Sequence, residues 1–194
     1  MNRASLRRGL GGWLFRHRGW LPAPLLVAIA LAARPDFGAL CVGLVGAFLA
    51  EGLRCWAAHA IGPASRTRGV EPGELTVSGP YRFTRNPLYL ANIAIYSGFA
   101  VASGRGWAWS LPLLALPYYA LIVAWEEQAL ERTHGEVYLA FKASTPRWFP
   151  RRSAAPAGAP HATWPQAVRA ERGSLIVLAL MTAALIGQWA CSAL

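Results

Sequence analysis

Residues 78–96 read SGPYRFTRNPLYLANIAIY, and within them a polar, basic loop becomes an apolar helix. Gly79-Pro80 marks a bend. Asn86 is a favoured helix N-cap, because its side-chain oxygen can accept from the orphan N–H groups of the first turn. Pro87 suits the next position, where no N–H is needed and φ is already helical. The stretch therefore predicts a helix from about Asn86, with its positive dipole end beside Arg82 and Arg85. Such an end favours an anionic group, for example a carboxylate or a phosphate.

The chain around this stretch is apolar. Of 194 residues, 55% are hydrophobic and only 14% charged. A soluble domain carries more charge, so the fold class expected is all-α, a polytopic membrane helix bundle. The formal net charge of +10 comes from arginines lying between apolar runs, which membrane topology explains; no nucleic-acid partner is expected. Cys41, Cys55 and Cys191 sit in or beside apolar runs without metal-ligand spacing and read as small hydrophobes, and no metal is expected. Trp20, Trp107, Trp125 and Trp189 fall near the ends of apolar runs, the position of an interfacial belt.

Apolar segments fall at about 20–33, 37–60, 88–103, 107–125 and 174–193. They predict about five transmembrane helices, as two hairpins plus a C-terminal helix. Residues 1–20, rich in arginine, suit a segment at the membrane surface, leading into a retained first span that extends back toward Leu14. The fourth helix is expected to run from Trp107 to a stop at Gly135, about 42 Å at 1.5 Å per residue. The hydrocarbon core is about 30 Å thick, so its last turns must project beyond it; Pro112 and Pro117 are expected to kink it. A short helix over 136–143 follows. Residues 1–150 form the core, with the motifs in 51–150. Residues 151–165 are an Ala/Pro linker, and 166–194 hold the last helix. Seventeen of the nineteen Lys and Arg residues lie on one side of this topology, leaving only Arg34 and Arg105 on the other. The positive-inside rule then puts the N-terminus and both long loops in the cytoplasm, at a bacterial-type inner membrane.

Three constellations carry chemistry. On the helix from Pro87, Tyr89, Asn92 and Tyr96 share a face, and intramembrane polar groups of this kind face a bundle interior or a cavity. In the fourth helix, Glu126-Glu127-x-x-Leu130-Glu131 sets carboxylates at a membrane face; the alternative is a solvated helix end, with Glu127 or Glu131 pairing to Arg82 or Arg132. In the second span Glu51, Arg54 and His59 interrupt the apolar run, as an i, i+3 ion pair or as a functional group. The chain contains no phosphate-cradling Gly-rich loop and no Ser/His/Asp spacing.

Over residues 51–150 these motifs together resemble the membrane methyltransferases related to isoprenylcysteine carboxyl methyltransferase and the phospholipid N-methyltransferases. The resemblance rests on Leu53-Arg54-x-Trp56, Ser78-Gly79-Pro80-Tyr81-Arg82, Arg85-Asn86-Pro87-Leu88-Tyr89, Glu126-Glu127-x-x-Leu130, Gly135-x-x-Tyr138 and Pro146-Arg147-Trp148-Phe149-Pro150. It implies an S-adenosyl-L-methionine-dependent enzyme with its cofactor pocket at the cytoplasmic face and a lipidic or isoprenoid-type acceptor entering from the bilayer. Carried over, Tyr81, Arg85, Asn86, Tyr89, Glu126, Glu127 and Tyr138 line the cofactor pocket, with Pro87 and Leu130 in the same motif blocks. Many relatives have His where Asn86 stands. Asparagine cannot titrate near neutral pH, so a positioning role is expected of it.

The residue chemistry is compatible with this cofactor. A helix N-terminus with Arg85 suits its carboxylate, and Glu126 or Glu127 suits its ammonium group or ribose hydroxyls. Tyrosine faces suit a sulfonium. Glu127 is the expected base if the acceptor is an amine, and Arg82 or Arg54 the expected partner of an anionic acceptor headgroup. Two other classes compete: a sterol-reductase-like membrane reductase using NADPH, and a non-catalytic membrane scaffold. Adjacent carboxylates argue against a pyrophosphate pocket. The acceptor and the oligomeric state have no signature in the sequence.

Overall fold

The computed structural model describes residues 3–62, 75–151 and 158–192, without the side chains of residues 3–8. All the elements among them are helical: α1 (Arg3–His17), α2 (Ala23–Ala32), α3 (Phe37–Ile61), α4 (Pro87–Ala102), α5 (Ser110–His134), α6 (Glu136–Ser144), α7 (Trp164–Ala170) and α8 (Arg172–Ser192). Arg66, Arg68 and residues 152–157 of the expected linker lie outside the described residues.

Three helical stretches are long and apolar enough to cross a membrane: Phe37–Ile61, Gly106–His134 and Arg172–Ser192. The other two expected spans are shorter. α4 has 16 residues, about 24 Å. α2 has 10, because the chain turns at Trp20-Leu21-Pro22 and does not continue back to Leu14. The Trp20 N–H donates to the His17 carbonyl at 3.0 Å and closes that turn. α1 is thus a separate helix, laid against α5. A Cβ on Gly11 would come within 2.7 Å of Trp125 Cβ, and Phe15 packs on the Trp125 ring at 5.1 Å.

The core is built where α3 meets α4. Their backbones approach closely enough that a Cβ on Gly43 would lie 2.4 Å from the Gly98 carbonyl, and one on Gly98 2.6 Å from the Gly43 carbonyl. Small residues at such a crossing let two helices pack by dispersion alone. Ala47 and Ala102 continue the stripe, and Phe99, Ile29, Leu178 and Leu185 close around it. A second cluster, Tyr119, Ile122 and Val123 of α5 with Tyr89 of α4, lies toward α1. Large apolar side chains point outward; Leu31, Leu49 and Leu180 are 65–73% exposed. An outer surface of this kind belongs in lipid.

At one end of the bundle the two short turns are tied together. The Arg34 N–H donates to the Ser103 carbonyl, and Arg105 Nε to the Ala32 carbonyl, both at 2.8 Å. Gln188 of α8 donates to the Ala30 carbonyl at 3.3 Å. The other end carries the functional motifs. There α5 ends at Gly135, whose φ of 52° suits glycine, and α6 starts immediately. Pro112 lies in the first turn of α5, where its missing N–H breaks no helical bond; only Pro117 stands inside the helix. α7 begins at Trp164, within the segment expected to be linker.

Candidate active site

The opening motif folds differently in one respect from its sequence reading. Pro87 is the first residue of α4 and Asn86 occupies the N-cap position, but the Asn86 side chain does not cap the helix. Its Nδ2 donates instead to the Arg147 carbonyl at 3.0 Å. Thr84 Oγ1 donates to the same carbonyl at 3.0 Å. Backbone pairs extend the seam, Arg85 N–H to the Pro146 carbonyl and Arg151 N–H to the Phe83 carbonyl, each at 2.9 Å. The closing Pro-Arg-Trp-Phe-Pro segment is therefore stitched to the loop before α4. It carries Arg147, to which no role attached in the sequence.

That seam positions an ion-pair cluster. Glu127 is 4% exposed and sits between two guanidinium groups. Arg85 Nη2 lies 3.3 Å from its Oε1, and Arg147 donates to both its oxygens, through Nε at 3.1 Å and through Nη2. Glu127 is thus paired with Arg85 and Arg147, and Glu131 pairs with Lys142 of α6. The Arg85 side chain is 8% exposed, and its Nε has no hydrogen-bond partner. Tyr138, projected inward by α6, is 1% exposed. Burial pushes its hydroxyl far above the ordinary value, and the charge of Glu127 adds to the effect, so it acts only as a neutral donor or acceptor.

One face of α4 meets α5 as its spacing predicts. The Tyr89 hydroxyl donates to Glu126 Oε2 at 3.0 Å. Asn92 Nδ2 donates to the Tyr119 hydroxyl at 3.0 Å, which lies 3.2 Å from that of Tyr96. The Tyr89 and Tyr119 rings are 4.9 Å apart. A cavity of about 960 Å³ opens along this face, at the upper end of the range for small-molecule sites. Tyr81, Arg85, Asn86 and Tyr89 line it from the α4 side, Glu126, Glu127, Leu130 and Tyr138 from α5 and α6, and Arg54 from α3. Pro87 and Arg82 do not.

At its other end the Glu51–Arg54 pair is present but subordinate. Arg54 Nε lies 3.7 Å from Glu51 Oε2, and Ser174 of α8 donates to that oxygen at 2.6 Å. The stronger partner of Arg54 is Glu171, reached from Nη2 at 2.6 Å and from Nε at 3.3 Å; Arg54 Nη1 also donates to Asn92 Oδ1. Glu171 was missed in the sequence, although a lone carboxylate opening an apolar run was a signal that could have found it. His59 stacks on Trp164 of α7 at 4.3 Å. No cluster of three or more His, Cys, Asp or Glu residues that could hold a metal occurs among the described residues.

A family model described as phospholipid methyltransferase matches residues 39–137. This segment runs from α3 through the start of α6. No curated protein and no solved structure matches the chain.

Proposed function

Because the chain belongs to the phospholipid methyltransferase family, we propose that it transfers a methyl group from S-adenosylmethionine to a lipidic acceptor entering the cavity from the bilayer. Arg85 carries this reading. Its guanidinium lines the cavity, with Nη2 ion-paired to Glu127, Nη1 donating to the Lys142 carbonyl at 3.4 Å and Nε unpartnered, a donor set that fits a carboxylate. Glu126 and the Tyr89 hydroxyl suit the ammonium and ribose hydroxyls of the same molecule. When bound, the cofactor supplies an electrophilic methyl group on a sulfonium. The tyrosine faces of Tyr89 and Tyr119 stabilise such a cation, and the buried wall excludes water.

Glu127 has both its oxygens taken up by two arginines. Glu126, met by a neutral hydroxyl, is the better base should the acceptor be a protonated amine. Arg82 lies away from the cavity lining, so of the two arginines considered for the acceptor, Arg54 is preferred. The reading puts the cavity mouth and the N-terminus on the cytoplasmic side of a bacterial-type inner membrane, supported by the 17-to-2 asymmetry of basic residues.

The test is incubation of detergent-purified protein with methyl-labelled cofactor and a total membrane lipid extract, followed by mass analysis of labelled products. A labelled lipid is expected; no labelled lipid and no cofactor binding would remove the proposal. Asn86→Ala should weaken cofactor affinity about five-fold, since one hydrogen bond contributes about 0.5–1.5 kcal/mol and its loss slackens the seam that holds Arg147 on Glu127. Calorimetric titration reads the change.

A further inference from the structure

We propose that Glu171 is a positioning residue for the acceptor: it holds the Arg54 guanidinium at the cavity wall, where Arg54, Arg169 and Arg172 take an oxyanion carried by an amphiphile. The inference rests on the methyl-transfer reading for its meaning; Arg54 lies inside the matched segment 39–137, whereas Glu171, Arg169 and Arg172 lie beyond it.

Glu171 joins α7 to α8 and is 1% exposed. A carboxylate buried so completely is tolerated only when paired in good geometry. The pairing is built from afar. The His161 and Ala162 N–H groups donate to the Ala60 and His59 carbonyls at 3.2 Å, and Trp164 lies flat on His59. These contacts dock α7 on the end of α3 and bring Glu171 to Arg54, 117 residues away in sequence.

The cluster lies on the cavity wall, not in the lipid-facing surface. Arg54 has five N–H groups, and three are used on Glu171 and Asn92. Arg169 and Arg172 line the same part of the cavity from the neighbouring turns. The lining also has an apolar part, Val177 and Leu178 of α8 with Ile95 and Phe99 of α4, of which Leu178, Ile95 and Phe99 belong to one packed cluster. Guanidinium groups and apolar side chains in one lining match an amphiphile with an acidic head. A phosphate diester and a terminal carboxylate offer the same chemistry. α8 is therefore a wall of the site.

The experiment uses the full chain in detergent. Binding of two probes, a short-chain phosphatidylethanolamine and S-farnesyl-N-acetylcysteine, is measured without cofactor for the unsubstituted protein, Glu171→Gln and Glu171→Asp, and cofactor affinity is measured separately. Glu171→Gln is expected to weaken whichever probe binds at least ten-fold, to leave cofactor affinity within two-fold, and to be partly rescued by Glu171→Asp. The probe that binds tells the phosphate source from the carboxylate source. Neither probe binding overturns the inference, as does a lowered melting temperature with probe affinity unchanged. Should Glu171→Gln not fold, the exposed pair Arg169→Ala and Arg172→Ala reads the same site and is expected to weaken the probe; unchanged affinity overturns the inference. Cofactor failing to bind the unsubstituted protein would sink the methyl-transfer reading alone, leaving the probe result to stand or fall by itself.

Discussion

Glu127→Gln is expected to lower cofactor affinity about 100-fold or more while leaving helix content unchanged. Removing one partner of a buried ion pair costs about 3–5 kcal/mol, because the remaining charge is left uncompensated, and each 1.4 kcal/mol is a factor of ten. Here two partners are stranded. Arg85 and Arg147 converge on one carboxylate; without its charge they repel, and Arg147, the more exposed of the two, swings toward solvent. Arg85 then loses the anchor that keeps its unpartnered Nε at the cavity wall. Calorimetric titration of the purified variant measures the effect, with circular dichroism as the folding control. An affinity within three-fold of the unsubstituted protein would refute the role given to this cluster.

The second large effect is on stability. Gly98→Ala is expected to lower the melting temperature in detergent by about 3–6 °C, at about 2–4 °C per kcal/mol for a chain of this size. Alanine is a better helix former than glycine by about 0.8–1.0 kcal/mol, so the substitution starts with a gain. The added Cβ, however, would lie 2.6 Å from the Gly43 carbonyl oxygen and 2.8 Å from the Ala47 nitrogen. Both are backbone atoms that no rotamer change can move. Overpacking costs about 1–3 kcal/mol and sometimes more, which outweighs the gain only if the two helices separate. Gly46→Ala is the control: it lies one turn from Gly43 on α3 and meets nothing within 4 Å, so the propensity gain should appear alone. Equal melting temperatures for the two variants would mean that the α3–α4 crossing is looser than this geometry.

What could be read from the sequence followed the range of the interactions. Pro87 starting α4, the Tyr89–Asn92–Tyr96 face and the apolar runs are local signals, set by φ and by the 3.6-residue period. The Asn86 side chain escaped that logic because its acceptor, the Arg147 carbonyl, lies 61 residues on. A capping preference worth about 1 kcal/mol gives way when a buried carbonyl needs a donor. The Glu127 clamp was half legible: Arg85 stood beside the motif, whereas Arg147 is brought in only by the backbone seam. Glu171 is the sole acidic residue after Glu136, yet its partner lies in α3. The first apolar run was expected to reach back toward Leu14, but with Pro22 and Pro24 in it the helix is only ten residues long.

The ties among Arg34, Ser103, Arg105 and Ala32 give the bundle the mechanics of a clothes-peg. Three helices meet at the tied end through hydrogen bonds to main-chain carbonyls, whose loss would cost register as well as energy. At the opposite end the helices are joined by side-chain ion pairs, Arg54 with Glu171 and Glu127 with Arg85 and Arg147, which hold no main-chain register. Compliance is therefore graded along the long axis.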